Sequence, residues 1–182
     1  MRHRAMVLNF LLASVMVTAA LAAAQPRASV LKSGDPLPPL AGQSLTGKQL
    51  DVTVTAGTAG QSVLIFSFSR AGGRDAQNWT QRLSKDFPQV TIYTVIFLES
   101  VPGLFRHLAI SGIRGGIPPS RQERTIILYR DESLWEQRLQ ANPGSSASVI
   151  LLSPGGHIGW ITPGPFADGL YQDLSRRIRD AH

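Results

Sequence analysis

Few residues of this chain have the chemistry for a functional site, and they fall into two groups. The first is Gly72-Gly73-Arg74-Asp75, directly after the apolar run Val63 to Phe68. A helix starting there would offer free backbone N–H groups beside the Arg74 guanidinium, a place for a carboxylate or a phosphate. The same residues equally fit a plain helix start, with Asp75 as the cap and Arg74 in solvent. The second group is Arg106, Arg114, Arg121 and Arg124, set around Gly115-Gly116-Ile117-Pro118-Pro119. Arginine makes planar contacts with acids and aromatics, and an apolar centre with a basic rim suits a protein partner. An irregular connection kept soluble by its charges would have this composition too.

Other chemistries lack their residues. The chain contains no cysteine, so it can perform neither disulfide exchange nor a peroxidatic step on its own. Its four histidines, His3, His107, His157 and His182, have no close ligand spacing, and no metal or cofactor is expected. No Gly-x-Ser-x-Gly elbow occurs, and Ser153-Pro154 reads as a turn. The pairs Gly72-Gly73 and Gly115-Gly116 form no dinucleotide fingerprint, and no phosphate-loop lysine follows either.

Residues 1–24 read as a secretory signal. Arg2 and Arg4 precede an apolar run from Val7 to Leu21, and Ala22-Ala23-Ala24 offers a cleavage site before Gln25. A retained anchor is the rival reading, although the run is short for a bilayer. Cleavage leaves 158 residues, enough for one domain with a core of its own, and lowers the net charge from +6 to +4. That charge is dispersed. It forms no basic arm, so nucleic acid is not an expected partner.

The elements that would position the two groups follow from periodicity. Residues 25–40 hold Pro26, Pro36, Pro38 and Pro39 and read as an extended lead-in to a domain over 41–182. Turn residues around a short alternating run predict a hairpin over Gly42 to Val52. Val63–Phe68 and Val90–Leu98 are apolar, β-branched strands, and the helix between them, from about Arg74 to Lys85, buries Ala76, Trp79 and Leu83. Strand, helix and strand in that order require a parallel pair. Ser100 is placed to cap a next helix that turns Leu104, Phe105 and Leu108 inward and stops at Gly112, leaving 113–123 as loop. A short strand at Thr125–Tyr129 follows, then a helix capped by Asp131 and running through Leu139. Strands Ser148–Leu152 and His157–Thr162 flank the turn Ser153-Pro154-Gly155-Gly156. The last helix, from about Phe166 to Asp180, repeats Phe166, Leu170, Leu174 and Ile178 every fourth residue. Trp79, Trp135 and Trp160 all fall in patterned segments and read as core.

This order, with Gly34-Asp35-Pro36-Leu37-Pro38-Pro39-Leu40 at its head and Pro154-Gly155-Gly156-His157-Ile158-Gly159-Trp160 in its final hairpin, resembles the exported thiol-disulfide and peroxiredoxin-type branch of the thioredoxin-like superfamily. The resemblance runs from Gly34 to Ile178. It implies an α/β, thioredoxin-like single domain, with a mixed central sheet flanked by helices. It also implies a redox pair at the strand-to-helix turn and a cis-proline near Ala147, and here Ala71 and Arg74 stand in place of the pair. Arg74-Asp75 leading to Trp79, Val101-Pro102-Gly103, Gly112 to Pro118 and His157 to Trp160 are similar to the mitochondrial ATP-synthase assembly-factor family and its bacterial relatives. That similarity implies a non-catalytic, chaperone-like module with a protein partner such as a membrane complex, contacted through Arg74, Asp75, Arg106, Arg114, Arg121 and Arg124. The alternatives are a divergent oxidoreductase relative, or a non-thiol enzyme using the Arg74/Asp75 turn.

Overall fold

The computed structural model describes residues 29–58, 60–142, 144 and 146–180. The signal segment expected at 1–24 lies outside the described residues. The chain runs β1 (Ala41–Ser44), β2 (Gln49–Asp51), α1 (Val52–Thr58), β3 (Ser62–Ser67), α2 (Arg70–Asp86), β4 (Thr91–Phe97), α3 (Gly103–Gly116), α4 (Pro119–Gln122), β5 (Thr125–Leu128), α5 (Glu132–Leu139), β6 (Ser148–Leu152), β7 (Ile158–Thr162) and α6 (Asp168–Asp180).

The seven strands form one mixed sheet in the order β2-β1-β5-β4-β3-β6-β7. β3, β4 and β5 are parallel, and the hairpins β1–β2 and β6–β7 close the two sides antiparallel. Both parallel steps move the same way across the sheet, so right-handed crossovers put α2 and α3 on one face.

The side chains of β3 alternate between two cores. Leu64 and Phe66 join α1 and α5 through Val52, Ala56, Trp135 and Leu139. Val63 and Ile65 face α2 and α6 through Ala76, Trp79, Leu83, Leu174 and Ile178. A smaller third cluster forms where Ile110, Ile113 and Ile117 of α3 and the turn beyond it rest on Ile127 and Leu45. The lead-in is tied to the domain: Leu31, Leu37 and Leu40 enter the first core, and backbone bonds link Gly34 N–H to Ile158 O and Leu37 N–H to Gly156 O at 2.7 and 3.0 Å. The hairpin expected over 42–52 forms, and it is held tightly. A Cβ on Gly42 would lie 2.7 Å from Ile126 Cγ2 and 2.8 Å from Ile127 O, so only glycine fits there.

Several expected boundaries move. The helix predicted from Arg74 begins at Arg70, because the Ser69 side chain takes the Gly72 N–H at 3.1 Å and caps it a turn earlier. Gly112 does not stop α3, which continues to Gly116. The stretch 113–123 is therefore the end of α3 plus the turn of α4, not a loop. Pro102, not Ser100, occupies the cap position of α3, with no side-chain bond. Asp131 precedes α5 in a left-handed conformation without capping it, and Glu99 accepts the Glu132 N–H at 2.7 Å instead. The final helix begins at Asp168, two residues after Phe166.

Candidate functional site

The polypeptide after β3 turns sharply into α2. Ser67 donates its hydroxyl to Ser69 O at 3.1 Å, and Gly72 passes so close to the loop before β6 that a Cβ would meet Ser146 O at 2.8 Å. Ala71 and Arg74 therefore lie in the opening turns of a helix fastened to its neighbours.

Asp75 does not cap that helix, because Ser69 does. Its carboxylate instead accepts the Ala147 N–H and the Phe166 N–H, both at 2.9 Å. One side chain thus ties α2 to the entrances of β6 and of α6. With each oxygen accepting one backbone N–H, Asp75 acts as a structural clasp.

Arg74 is exposed and faces the other way, into a groove of about 1070 Å³ between α2 and α3. The sheet supplies its floor through Thr94, Ile96 and Thr125. Small residues, Gly73 and Ala76 on α2 and Ala109, Gly112 and Gly116 on α3, hold the walls apart. Phe105, Leu108, Ile113 and Ile117 give it an apolar wall, and among the described residues Arg70, Arg74 and Arg121 are the only charged ones that line it.

The six residues singled out in the sequence thus separate. Arg74 and Arg121 share the groove. Arg114 spends its guanidinium on Leu45 O at 2.7 Å, pinning α3 to the β1–β2 hairpin. Arg106 donates to Val101 O at 3.0 Å and lies over the Tyr129 ring at 5.1 Å. Arg124 is exposed beside the buried Tyr93, whose hydroxyl is pushed up by burial and pulled partly back by that charge. Asp75 is on the clasp. Among the described residues no three His, Asp or Glu side chains come together as a metal site.

Two features escaped the sequence reading. Arg70 lies on the groove because α2 starts a turn early. Leu104, Phe105 and Leu108, expected to turn inward, are 86 %, 56 % and 71 % exposed, and no residue of α3 is buried. The sequence did carry a signal. Leu104, Phe105, Leu108, Ala109, Ile110 and Ile113 wrap more of a helix than one buried stripe requires, and such a helix has a second apolar face to cover.

No family model matches the chain, and no curated protein matches it in sequence. Solved structures do match. A protein from Chlorobium tepidum described as a thiol:disulfide interchange protein, DsbE, superposes with a TM-score of 0.60 at 13% identity, covering 83% of this chain and 98% of its own. The thioredoxin domain of a thiol-disulfide oxidoreductase from Bacteroides vulgatus gives 0.56 at 18% identity, over 80% and 97% of the two chains. A thiol peroxidase from Chromobacterium violaceum gives 0.56 at 12% identity, over 83% and 90%. The fold is thioredoxin-like, and these neighbours are thiol proteins. At such identities the likeness is one of fold, and this chain has no thiol to share their chemistry.

Proposed function

We propose that this protein is a non-catalytic binding or assembly module of the cell envelope, working through the groove between α2 and α3. The observation that carries the reading is the complete absence of cysteine on a thioredoxin-like scaffold. What this scaffold retains in place of thiol chemistry is an open groove with apolar walls and arginines. The apolar run and small-residue site over 1–24 support export, and among the described residues no helix is long and apolar enough to cross a membrane. One solved neighbour, at a TM-score of 0.50 and 15% identity, is an exposed lipoprotein thioredoxin of Streptococcus pneumoniae. The resemblance read from the Arg74–Trp79 and 101–118 stretches would give such a module a chaperone-like role toward a membrane complex.

Crosslinked affinity capture from the host envelope tests this. Wild type should recover one specific complex, and a variant with Arg74 and Arg121 changed to Ala should recover about fivefold less, the effect of losing roughly 1 kcal/mol of binding. Arg114 is left intact because it anchors α3. Recovery of no specific partner would overturn the reading, as would turnover of a small substrate by the isolated protein.

A further inference from the structure

We propose that the occupant of the α2–α3 groove is a protein segment with an apolar middle and carboxylates toward both ends. This names the partner chemistry of the site above and rests on that reading.

Among the described residues, the groove is lined by three arginines and by no aspartate, glutamate, lysine or histidine. Among the described residues, none of Arg70, Arg74 and Arg121 makes an ion pair or a side-chain hydrogen bond, whereas Arg82, Arg176 and Arg177 all have carboxylate partners. Unpaired guanidinium groups in a partly enclosed, apolar-walled groove favour carboxylates, which they can hold in two-point contacts.

Topology then spaces the charges. β3, β4 and β5 are parallel, so their C-terminal ends share one edge of the domain. Arg70 and Arg74 follow the C-terminal end of β3, where the positive end of the α2 dipole adds to their charge. Arg121 precedes the N-terminal end of β5 and so stands at the opposite end of the groove. From Arg70 to Gln81, the wall of α2 runs about 16 Å at the ordinary helical rise. Between these ends the partner meets Phe105, Leu108, Ile113 and Ile117, with Leu104 extending the apolar surface outward.

Shape and charge set the other occupants aside. A bilayer surface is flat and would meet the outer stripe of α3 without filling a concave groove. A second copy of this chain would bring like charge, since the protein is net basic. An apolar segment with acidic ends satisfies both the walls and the arginines, in the manner of an amphipathic element laid in a groove.

The test places a photoreactive p-benzoylphenylalanine at Gln77, an exposed groove residue, or at Val54, which is 63 % exposed on α1 across the sheet, in the full chain expressed in its own host. Irradiation should give an adduct at 77 and none at 54, and mass mapping should return a partner segment with an apolar run bracketed by Asp or Glu. Gly112→Trp should abolish the adduct by filling the groove, since a Cβ at Gly112 meets nothing within 4 Å and the fold should tolerate the change. Arg70→Glu with Arg121→Glu should lower the yield by about tenfold, the equivalent of 1.4 kcal/mol. The proposal is overturned by a lipid adduct, a self-adduct, a segment lacking acids, no adduct at 77, or indifference to Gly112→Trp. If envelope capture succeeds while any of these occurs, the binding-module reading stands and the groove assignment alone fails.

Discussion

α2 and α3 lie side by side on one face of one sheet, yet the molecule treats them in opposite ways. α2 is packed against the sheet and against α6. Trp79 is fully buried, with Phe166 edge-on at a 5.0 Å centroid distance, Trp160 edge-on at 6.5 Å and Tyr171 tilted at 6.3 Å. Polar tips close the cluster: Trp160 donates to Asp173 at 2.8 Å, Tyr171 to Asp86 at 2.6 Å, and Arg82 lies over the Tyr171 ring at 4.5 Å. α3 buries none of its own residues and carries four glycines, at 103, 112, 115 and 116, beside which a Cβ would meet nothing within 4 Å. One helix is spent on the core. The other has an apolar surface that the fold does not use, and that surplus makes α3 the surface on which a partner can act.

The sharpest way to break this contrast is at its tight end. Trp79→Ala should cost about 3–5 kcal/mol of stability by emptying the aromatic cluster, read as a lower denaturation midpoint. A loss under about 1 kcal/mol would mean that the α2–α6 side is no better packed than α3.

Next comes the clasp. Asp75→Ala strands the N–H groups of Ala147 and Phe166 and should cost about 2–4 kcal/mol. Faster amide exchange at 147 and 166 than in wild type checks the mechanism, since loss of general stability alone would not single out those two sites.

The aromatic side also predicts an alkaline limit. Burial first, and the hydrogen bond to Asp86 second, push the Tyr171 hydroxyl from 10.0 up to about 12. Between those values the unfolded chain gives up a proton that the folded protein keeps. The stability present below pH 10 therefore falls as pH rises toward 12, by an amount on the order of 2 kcal/mol. Denaturation midpoints between pH 9 and 12 should show this slope, and Tyr171→Phe should flatten part of it, leaving the share of Tyr93, which burial also raises.

The smallest effects belong to α3. Leu104→Ser and Leu108→Ser should each change stability by less than about 0.5 kcal/mol, because both side chains are already in water. Gly112→Ala and Gly115→Ala should each raise it by about 0.5–1 kcal/mol by restricting the unfolded backbone within a helix that has room for the methyl group. A large loss from either serine variant would show that α3 is core after all.

Where periodicity was strong, the sequence was legible. The alternating and apolar runs at 63–68, 90–98, 125–129 and 148–162 became strands at nearly the expected positions, and Trp79, Trp135 and Trp160 are buried as expected. Helix ends were less legible because competing local signals depend on context. Ser69 outranked Asp75 as a cap, and Gly112 was passed over because α3 had contacts on Ile127 and Leu45 to sustain it. The arginines were the least legible. Six residues selected by type and spacing came apart into two on the groove, two anchored to main-chain carbonyls, one in solvent and one clasp.

The sequence by itself determined the absence of thiol chemistry, since composition needs no geometry, and it determined the order of the strands and of the longer helices, though not the short α1 and α4, since hydrophobic period is a local property that short helices barely display. Only the tertiary structure decided which polar groups are already spent. Asp75, Arg106 and Arg114 find backbone partners 5 to 91 residues away in the chain, while Arg70, Arg74 and Arg121 are brought onto one groove with none among the described residues. A charge is available for function only after the fold has satisfied its own buried donors and acceptors, and that accounting is closed by contacts between segments distant in sequence.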